Sequence, residues 1–319
     1  MMGPAVRHFV DLFDLPPGVG LGLIDRAIEL KREARPGPRP AYLSGRTLGL
    51  LFEKPSLRTR VSFEAAIAQL GGVAIFLRGE DVGLGVRESA ADFARVISRY
   101  VDVLAVRTFA QATVEELARH ATIPVINALS DTAHPCQALA DLLTIREALG
   151  RLEGVRLVFV GDGNNVARSL ALASAMMGVR FVLCCPSAYD FPVDFRERYR
   201  EAFPHAPLVV EHDPARAAEG AEVIYTDVWA SMGQETEAQA RRSAFNLHRV
   251  DDALMARAHA DAIFMHCLPA HRGEEVTASV LDGSQSLVID QAANRLHIQK
   301  ALLLWLLDRD SPAAAGSDA

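Results

Sequence analysis

Short apolar runs alternate with segments of helical period along the first half of the chain: TLGLLFE, VSFEAAIAQLGG, VAIFL, ADFARVISRY, VDVLAVR, VEELARHA and IPVIN. A continuous apolar run is how a strand reads when helices cover both of its faces, so the alternation predicts βαβ units and a parallel sheet. The same rhythm resumes in VRLVFVGDGNNVARSLALASAMMG, FVLCCP, AEVIYTDVW and DAIFMHCLP. Between the two series lies HPCQALADLLTIREALG, a long helical pattern suited to bridging two α/β domains. A last helix is expected from about Asn294 to Leu307, followed by SPAAAGSDA, whose small residues predict a frayed end.

Composition narrows the class. Half of the 319 residues are apolar, enough for two medium-sized cores. The net charge of −7 is carried by interspersed acids and bases, a field that disfavours nucleic acid and anionic membrane, so any phosphate must be captured locally. Asp11 and Asp14 interrupt the apolar N-terminal stretch, which argues against a secretory signal, and the apolar run Ala301 to Leu307 falls far short of the roughly 20 residues that span a bilayer. Cys136, Cys184, Cys185 and Cys267 show no C-x-x-C spacing, so neither a disulfide framework nor a zinc knuckle is expected, and a reducing, cytoplasmic compartment fits.

In open α/β sheets ligands bind beyond the carboxyl ends of the strands, so the polar residues that follow each strand come first. After LGLLFE comes Lys54-Pro55-Ser56-Leu57-Arg58-Thr59-Arg60 and then a helix with Phe63, Ile67 and Leu70 on one face, stopped by Gly71-Gly72. Two arginines and two hydroxyls at a helix N-terminus suit a phosphate, although a helix capped by Ser56 with two solvated arginines reads the same way. Arg107 follows VDVLAV, and His134 and Gln137 follow IPVIN; an Arg and a hydrogen-bond-donating His together suit a polarised carbonyl, while singly each is as readily structural.

In the second series, Gly161-Asp162-Gly163-Asn164-Asn165-Val166 only partly matches the dinucleotide turn: Val166 stands at the third glycine, and no acid for a ribose follows the next strand. Asp227 offers an anion to a substrate ammonium, Ser231 and its loop can meet a carboxylate, and Cys267 can lie beside a nucleophilic amine or be a buried structural thiol. His266, Cys267 and His271 lack a second closely spaced ligand pair, so no metal is expected.

Five ordered blocks, FEKPSLRTRVSFE, HPCQALADL, GDGNNVA, DVWASMGQE and HCLPAHRGEEV, resemble the ornithine carbamoyltransferases over nearly the whole chain. His266-Cys267-Leu268-Pro269 and Ser231-Met232-Gly233 separate it from aspartate carbamoyltransferases, which share S-x-R-T-R and HPxQ. The resemblance implies two Rossmann-like parallel-sheet α/β domains joined by two inter-domain helices: a carbamoyl phosphate-binding domain, 1–135 with the C-terminal helix 293–319, and an ornithine-binding domain, 136–292. By matching position it implies carbamoyl phosphate contacts from Ser56, Leu57, Arg58, Thr59, Arg60, Arg107, His134, Gln137, Cys267, Leu268 and Arg295, and ornithine contacts from Asn165, Asp227, Ser231 and Met232. Thr59, Arg107, His134 and Cys267 would serve catalysis. It further implies no cofactor, a homotrimer or multiple of trimers, and a cytoplasmic, amino-acid biosynthetic setting.

Two positions depart from the family. Leu57 stands where Thr is usual, and the loop Asp81 to Ser89 has Gly83 where Gln is common and Arg87 where Gly is common. The expected reaction is attack of the neutral δ-amine on the carbamoyl carbon through a tetrahedral intermediate that expels phosphate. The alternatives are a carbamoyltransferase for another amine, such as putrescine or an acylated ornithine, and a non-catalytic binding protein on the same scaffold.

Overall fold

The computed structural model describes residues 6–33, 40–230 and 235–308. The chain forms two compact units, Met1–Leu139 with Arg295–Ala319, and Ala140–Asn294. Both junctions fall inside helices, the first in Pro135–Leu149 and the second in Val288–Leu306.

The first unit holds the strands β1 (Thr47–Phe52), β2 (Val73–Arg78), β3 (Val103–Arg107) and β4 (Val125–Leu129) in a parallel sheet ordered β2-β1-β3-β4. Every residue of β3, and all but the first of β1, is buried, as expected of central strands covered on both faces. The edge strand β2 instead leaves Val73 and Ile75 exposed. Register pairs Phe52 with Arg107, so the residues following β1 and β3 emerge side by side.

The second unit holds β5 (Arg156–Val160), β6 (Arg180–Cys184), β7 (Val209–Glu211), β8 (Val223–Thr226) and β9 (Ile263–His266), all parallel, ordered β7-β6-β5-β8-β9. Val160 pairs with Thr226 and Thr226 with His266. Gly161, Asp227 and Cys267, each one residue further on, therefore leave the sheet at one level, so three loops distant in sequence are brought together by register alone.

Two readings of the pattern change. The last helix begins at Val288 rather than near Asn294, which places Arg295 about two turns inside it instead of at its opening. Gln291 and Asn294, both fully buried, supply polar positions on its inner face, and these hid the first turns from an apolar count. The strand β7 and the helix Val193–Ala202, which buries only Phe195 and Tyr199, carry too few periodic apolar residues to stand out. All four cysteines are free thiols, and no described helix is long and apolar enough to cross a membrane.

Candidate active site

In the first unit Ser56 caps the helix Leu57–Gln69: its Oγ accepts from the Thr59 N–H at 3.3 Å and its hydroxyl donates to Thr59 Oγ1 at 3.0 Å. Thr59 Oγ1 also receives Arg295 Nη2 at 2.6 Å, joining the last helix to the first turn of this one. The helix stops where Gly71 takes φ +88°, and a Cβ there would stand 2.8 Å from that of Ala41. Leu57 is 78% exposed, so its difference from Thr leaves the packing of this turn untouched.

Thr59, Arg107, His134, Gln137 and Arg295 are all buried. Burial, then the neighbouring Arg295 and Arg107, holds the His134 imidazole well below its ordinary pKa, so at neutral pH it is an uncharged ring with a single N–H. Lys54, whose ammonium lies 4.4 Å from the centre of the Phe109 ring, is lowered by burial and then by Arg107, with Asp131 opposing. Cations crowded at the ends of β1 and β3 make this a place where an anion is favoured by several kinds of contact at once. Arg58 is exposed and forms no hydrogen bond or ion pair among the described residues, whereas Arg60 is committed to Glu64 at 2.8 Å and lies over the Phe76 ring.

The departure at Gly83 has a steric basis. This glycine ends a short helical turn with φ +63°, and a Cβ on it would lie 2.9 Å from Cγ and Cδ of Arg87, whose guanidinium donates to the Asp81 carbonyl at 2.7 Å. Gly83 and Arg87 fit each other sterically: the arginine fills the space a larger residue at position 83 would take.

In the second unit Asp227 gathers three donors. Its Oδ1 accepts from the Val228 N–H at 2.8 Å and from the Cys267 thiol at 3.0 Å, and its Oδ2 accepts from Asn164 Nδ2 at 3.1 Å. Asn164 uses its own Oδ1 to cap the helix Asn165–Met176, accepting from Val166 and Ala167 N–H. Gly163 approaches the Asp190–Phe191 backbone so closely that a Cβ would meet Phe191 N at 2.8 Å. The glycine of this turn therefore serves packing within the chain. Burial, then Asp227, raises the Cys267 pKa well above its ordinary value, which keeps the group a thiol.

His266 anchors the turn that carries Cys267 and Leu268. Its Nδ1 accepts from the Leu268 N–H at 2.8 Å, so its Nε2 carries the proton and donates to Glu275 Oε1 at 3.2 Å. Burial works to raise the Glu275 carboxyl, but bonds from His266 and the His271 N–H outweigh it and hold it low. Leu268 is left with φ +57°, a left-handed conformation costly for a leucine and imposed by these flanking bonds. The His266 N–H donates to Gln291 Oε1, and Gln291 Nε2 donates to Asp141 and Tyr225. Asp227, His266 and Cys267 are close enough to suggest a metal cluster, yet both ring nitrogens of His266 are already engaged.

Of the predicted residues, Ser56, Thr59 and Arg295 are directly bonded, and His134 lies within electrostatic reach of Arg107 and Arg295; Asp227 and Cys267 are bonded to each other. Asn165 follows the capping Asn164, which holds Asp227, while Ser231 and Met232 lie outside the described residues. Asp141, Tyr225, Asp162, Arg241, Glu275 and Gln291 were not singled out by motif. Asp141, Asp162 and Glu275 lie inside the blocks HPCQALADL, GDGNNVA and HCLPAHRGEEV, whereas Tyr225, Arg241 and Gln291 lie in none of the five.

Each unit is a parallel-sheet α/β domain with charged and polar residues gathered near the carboxyl ends of its strands, cationic in the first and an acid–thiol pair in the second. Residues 7–147 match the model of the aspartate/ornithine carbamoyltransferase carbamoyl-P binding domain, and residues 153–306 match that of the Asp/Orn binding domain. The chain belongs to the aspartate/ornithine carbamoyltransferase family. It is 54% identical over 306 residues to the ornithine carbamoyltransferase of Acidothermus cellulolyticus, covering 95% of this chain and 97% of that one. Identity is 51% over 317 residues to that of a Parafrankia strain, covering 98% and 99%. The solved structure of ornithine carbamoyltransferase from Pyrococcus furiosus superposes with a TM-score of 0.92 at 46% identity, covering 97% and 99%.

Proposed function

We propose that the protein transfers the carbamoyl group of carbamoyl phosphate to the δ-amine of L-ornithine, giving L-citrulline and phosphate. The observation that carries this reading is the charge arrangement in each unit: uncharged His134 near Arg107 and Arg295, with Arg295 bonded to Thr59, in one, and the thrice-bonded carboxylate of Asp227 beside a neutral thiol in the other. The first arrangement suits a phosphate with a carbonyl, and the second suits an ammonium with a reacting amine.

The δ-amine nitrogen attacks the carbamoyl carbon, and the bond from that carbon to the phosphate oxygen breaks. Thr59, Arg107 and His134 stabilise the charge that develops on the carbonyl oxygen. Arg58 and the N–H groups beyond Ser56 hold the leaving phosphate, and Arg60 joins them after releasing Glu64, a surface pair worth less than about 1 kcal/mol. Gln137 and Arg295 complete the carbamoyl phosphate site. With a pKa near 10.4, like that of lysine, the ammonium costs on the order of 4–5 kcal/mol to deprotonate at pH 7 and gives that proton to solvent before the attack; the second proton, released from nitrogen as the new C–N bond forms, goes to the departing phosphate. Cys267, donating to Asp227, presents sulfur lone pairs to the amine, with the Leu268 carbonyl beside it; a thiol held this far from ionisation is neither the nucleophile nor the base. Asn165, Asp227, Ser231 and Met232 take the α-ammonium and carboxylate. The reading extends to a cytoplasmic homotrimer, for which exposed Leu57, Val61, Val73 and Ile75 offer apolar contact. Citrulline formation from carbamoyl phosphate and ornithine, with putrescine and N-acetylornithine as competing amines, tests it. Absence of citrulline, or preference for either rival amine, would overturn it.

A further inference from the structure

Arg241 lies in the helix Ala238–Phe245, belongs to no motif, and is nevertheless one of the few buried cationic side chains in the second unit. Its Nη1 donates to Asp162 Oδ2 at 2.7 Å and to the Trp229 carbonyl at 3.2 Å, and its Nε donates to Glu237 at 3.1 Å. Side-chain exposure is 9% for Arg241 and 14% for Asp162, so the pair is largely shielded from water. The guanidinium lies over the Tyr189 ring, 5.2 Å from its centre. One turn further along the helix, Phe245 contacts Tyr189 and stacks on Trp229, closing an aromatic wall around the cation.

The two acceptors belong to different loops. Asp162 lies in the turn after β5, two residues before Asn164 and three before Asn165, while Trp229 lies two residues after Asp227 at the end of β8. The Asn164–Asp227 bond at 3.1 Å connects the same two loops from the other side. We infer that Arg241 is a positioning residue for the amino-acid substrate, clamping the turn after β5 to the end of β8 so that Asn165 and Asp227 keep the spacing that the two charged groups on the α-carbon require. A planar fork is needed, because one nitrogen divides its donation between a carboxylate and a carbonyl while another engages Glu237; an ammonium supplies the charge without that geometry. None of the atoms in the clamp belongs to the carbamoyl phosphate residues, so loss of the clamp is felt by one substrate alone.

This inference rests on ornithine being the amino-acid substrate, and steady-state kinetics with both substrates varied tests the two ideas separately. Arg241→Gln should raise the KM for ornithine roughly ten- to hundredfold, the scale of a misplaced recognition group, with kcat and the KM for carbamoyl phosphate within about twofold of wild type. Arg241→Lys, which keeps the charge, should recover only part of the loss. Asp162→Asn, which keeps an acceptor for the fork, should be milder than Arg241→Gln, and the double variant should be less impaired than the sum of the single effects, since both act on one contact. Thermal melts of every variant accompany the kinetics, and a melting temperature close to wild type together with the selective KM change is the expected result. A wild type that forms no citrulline overturns the substrate reading and this inference with it. Wild-type turnover with an unchanged ornithine KM in Arg241→Gln, a parallel rise in both KM values, or full recovery by Arg241→Lys overturns the inference alone.

Discussion

The Cys267 thiol donates a hydrogen bond to the Asp227 carboxylate at 3.0 Å, so the acid adds to burial in holding the sulfur protonated. Burial and this negative neighbour both oppose the thiolate. Cys267 should therefore react slowly with iodoacetamide at pH 8, even though Cys136, Cys184 and Cys185 are buried and it alone is partly exposed. Asp227→Asn removes the negative charge and should speed alkylation at this one position, read by peptide mass spectrometry. Equal labelling rates in the two proteins would show that Asp227 does not control the thiol.

Arg58 is exposed and bonded to nothing among the described residues, so Arg58→Ala should change stability by no more than about 0.5 kcal/mol. Its proposed partner is the phosphate. Losing a charge-assisted bond of roughly 1.5–3 kcal/mol weakens carbamoyl phosphate binding about ten- to hundredfold or more. Calorimetric titration with carbamoyl phosphate measures this, and an unchanged affinity would remove Arg58 from the site.

His134 makes stability depend on pH in a definite direction. Its folded-state pKa is held well below that of the unfolded chain, so between about pH 6.5 and 5.5 the unfolded state binds the extra proton and stability falls on acidification. From this one group the loss across that window is about 1 kcal/mol, because the unfolded imidazole goes from half to about nine-tenths protonated. His134→Asn should flatten the wild-type dependence by that amount in urea melts at pH 6.5 and 5.5. The difference between the two proteins is the informative quantity, because His8 and His248 are also lowered by burial and contribute equally to both. A slope left unchanged would mean that His134 is charged in the folded state.

The fold was readable from the sequence wherever a strand was apolar throughout, as in Leu157 to Val160 or Val103 to Val106, since burial on both faces leaves an unbroken run. It was unreadable where function or packing put polar residues on an inner face: Gln291 and Asn294 hid the first turns of the last helix, and Arg295 was set at its opening as a result. Candidate residues that share one turn, such as Ser56 and Thr59, are legible together because spacing within a turn is local. The network of Asp141, Tyr225, Gln291 and the His266 backbone is different in kind. Its members come from four separate elements and meet only through strand register and helix placement, which no short motif encodes.

Asp227 should decide which amine is accepted. Asp227→Asn keeps the size of the side chain but replaces one acceptor by an NH2 group, and all three of its present partners are donors: Val228 N–H, the Cys267 thiol and Asn164 Nδ2. Asn164 cannot turn its amide to compensate, because its Oδ1 caps the helix through Val166 and Ala167. The new NH2 group must therefore face a donor or displace one, and the negative charge offered to an α-ammonium is lost. Ornithine should lose a charge-assisted bond of roughly 1.5–3 kcal/mol, ten- to hundredfold or more in affinity. Putrescine should lose less, because with no α-carboxylate to anchor it the distal amine is free to shift. The ratio of kcat/KM for ornithine to that for putrescine should fall in the variant, measured for both amines at saturating carbamoyl phosphate, with a thermal melt to separate recognition from stability. A ratio that stays constant or rises would mean that Asp227 does not meet the α-ammonium, and the orientation of ornithine would have to be reversed.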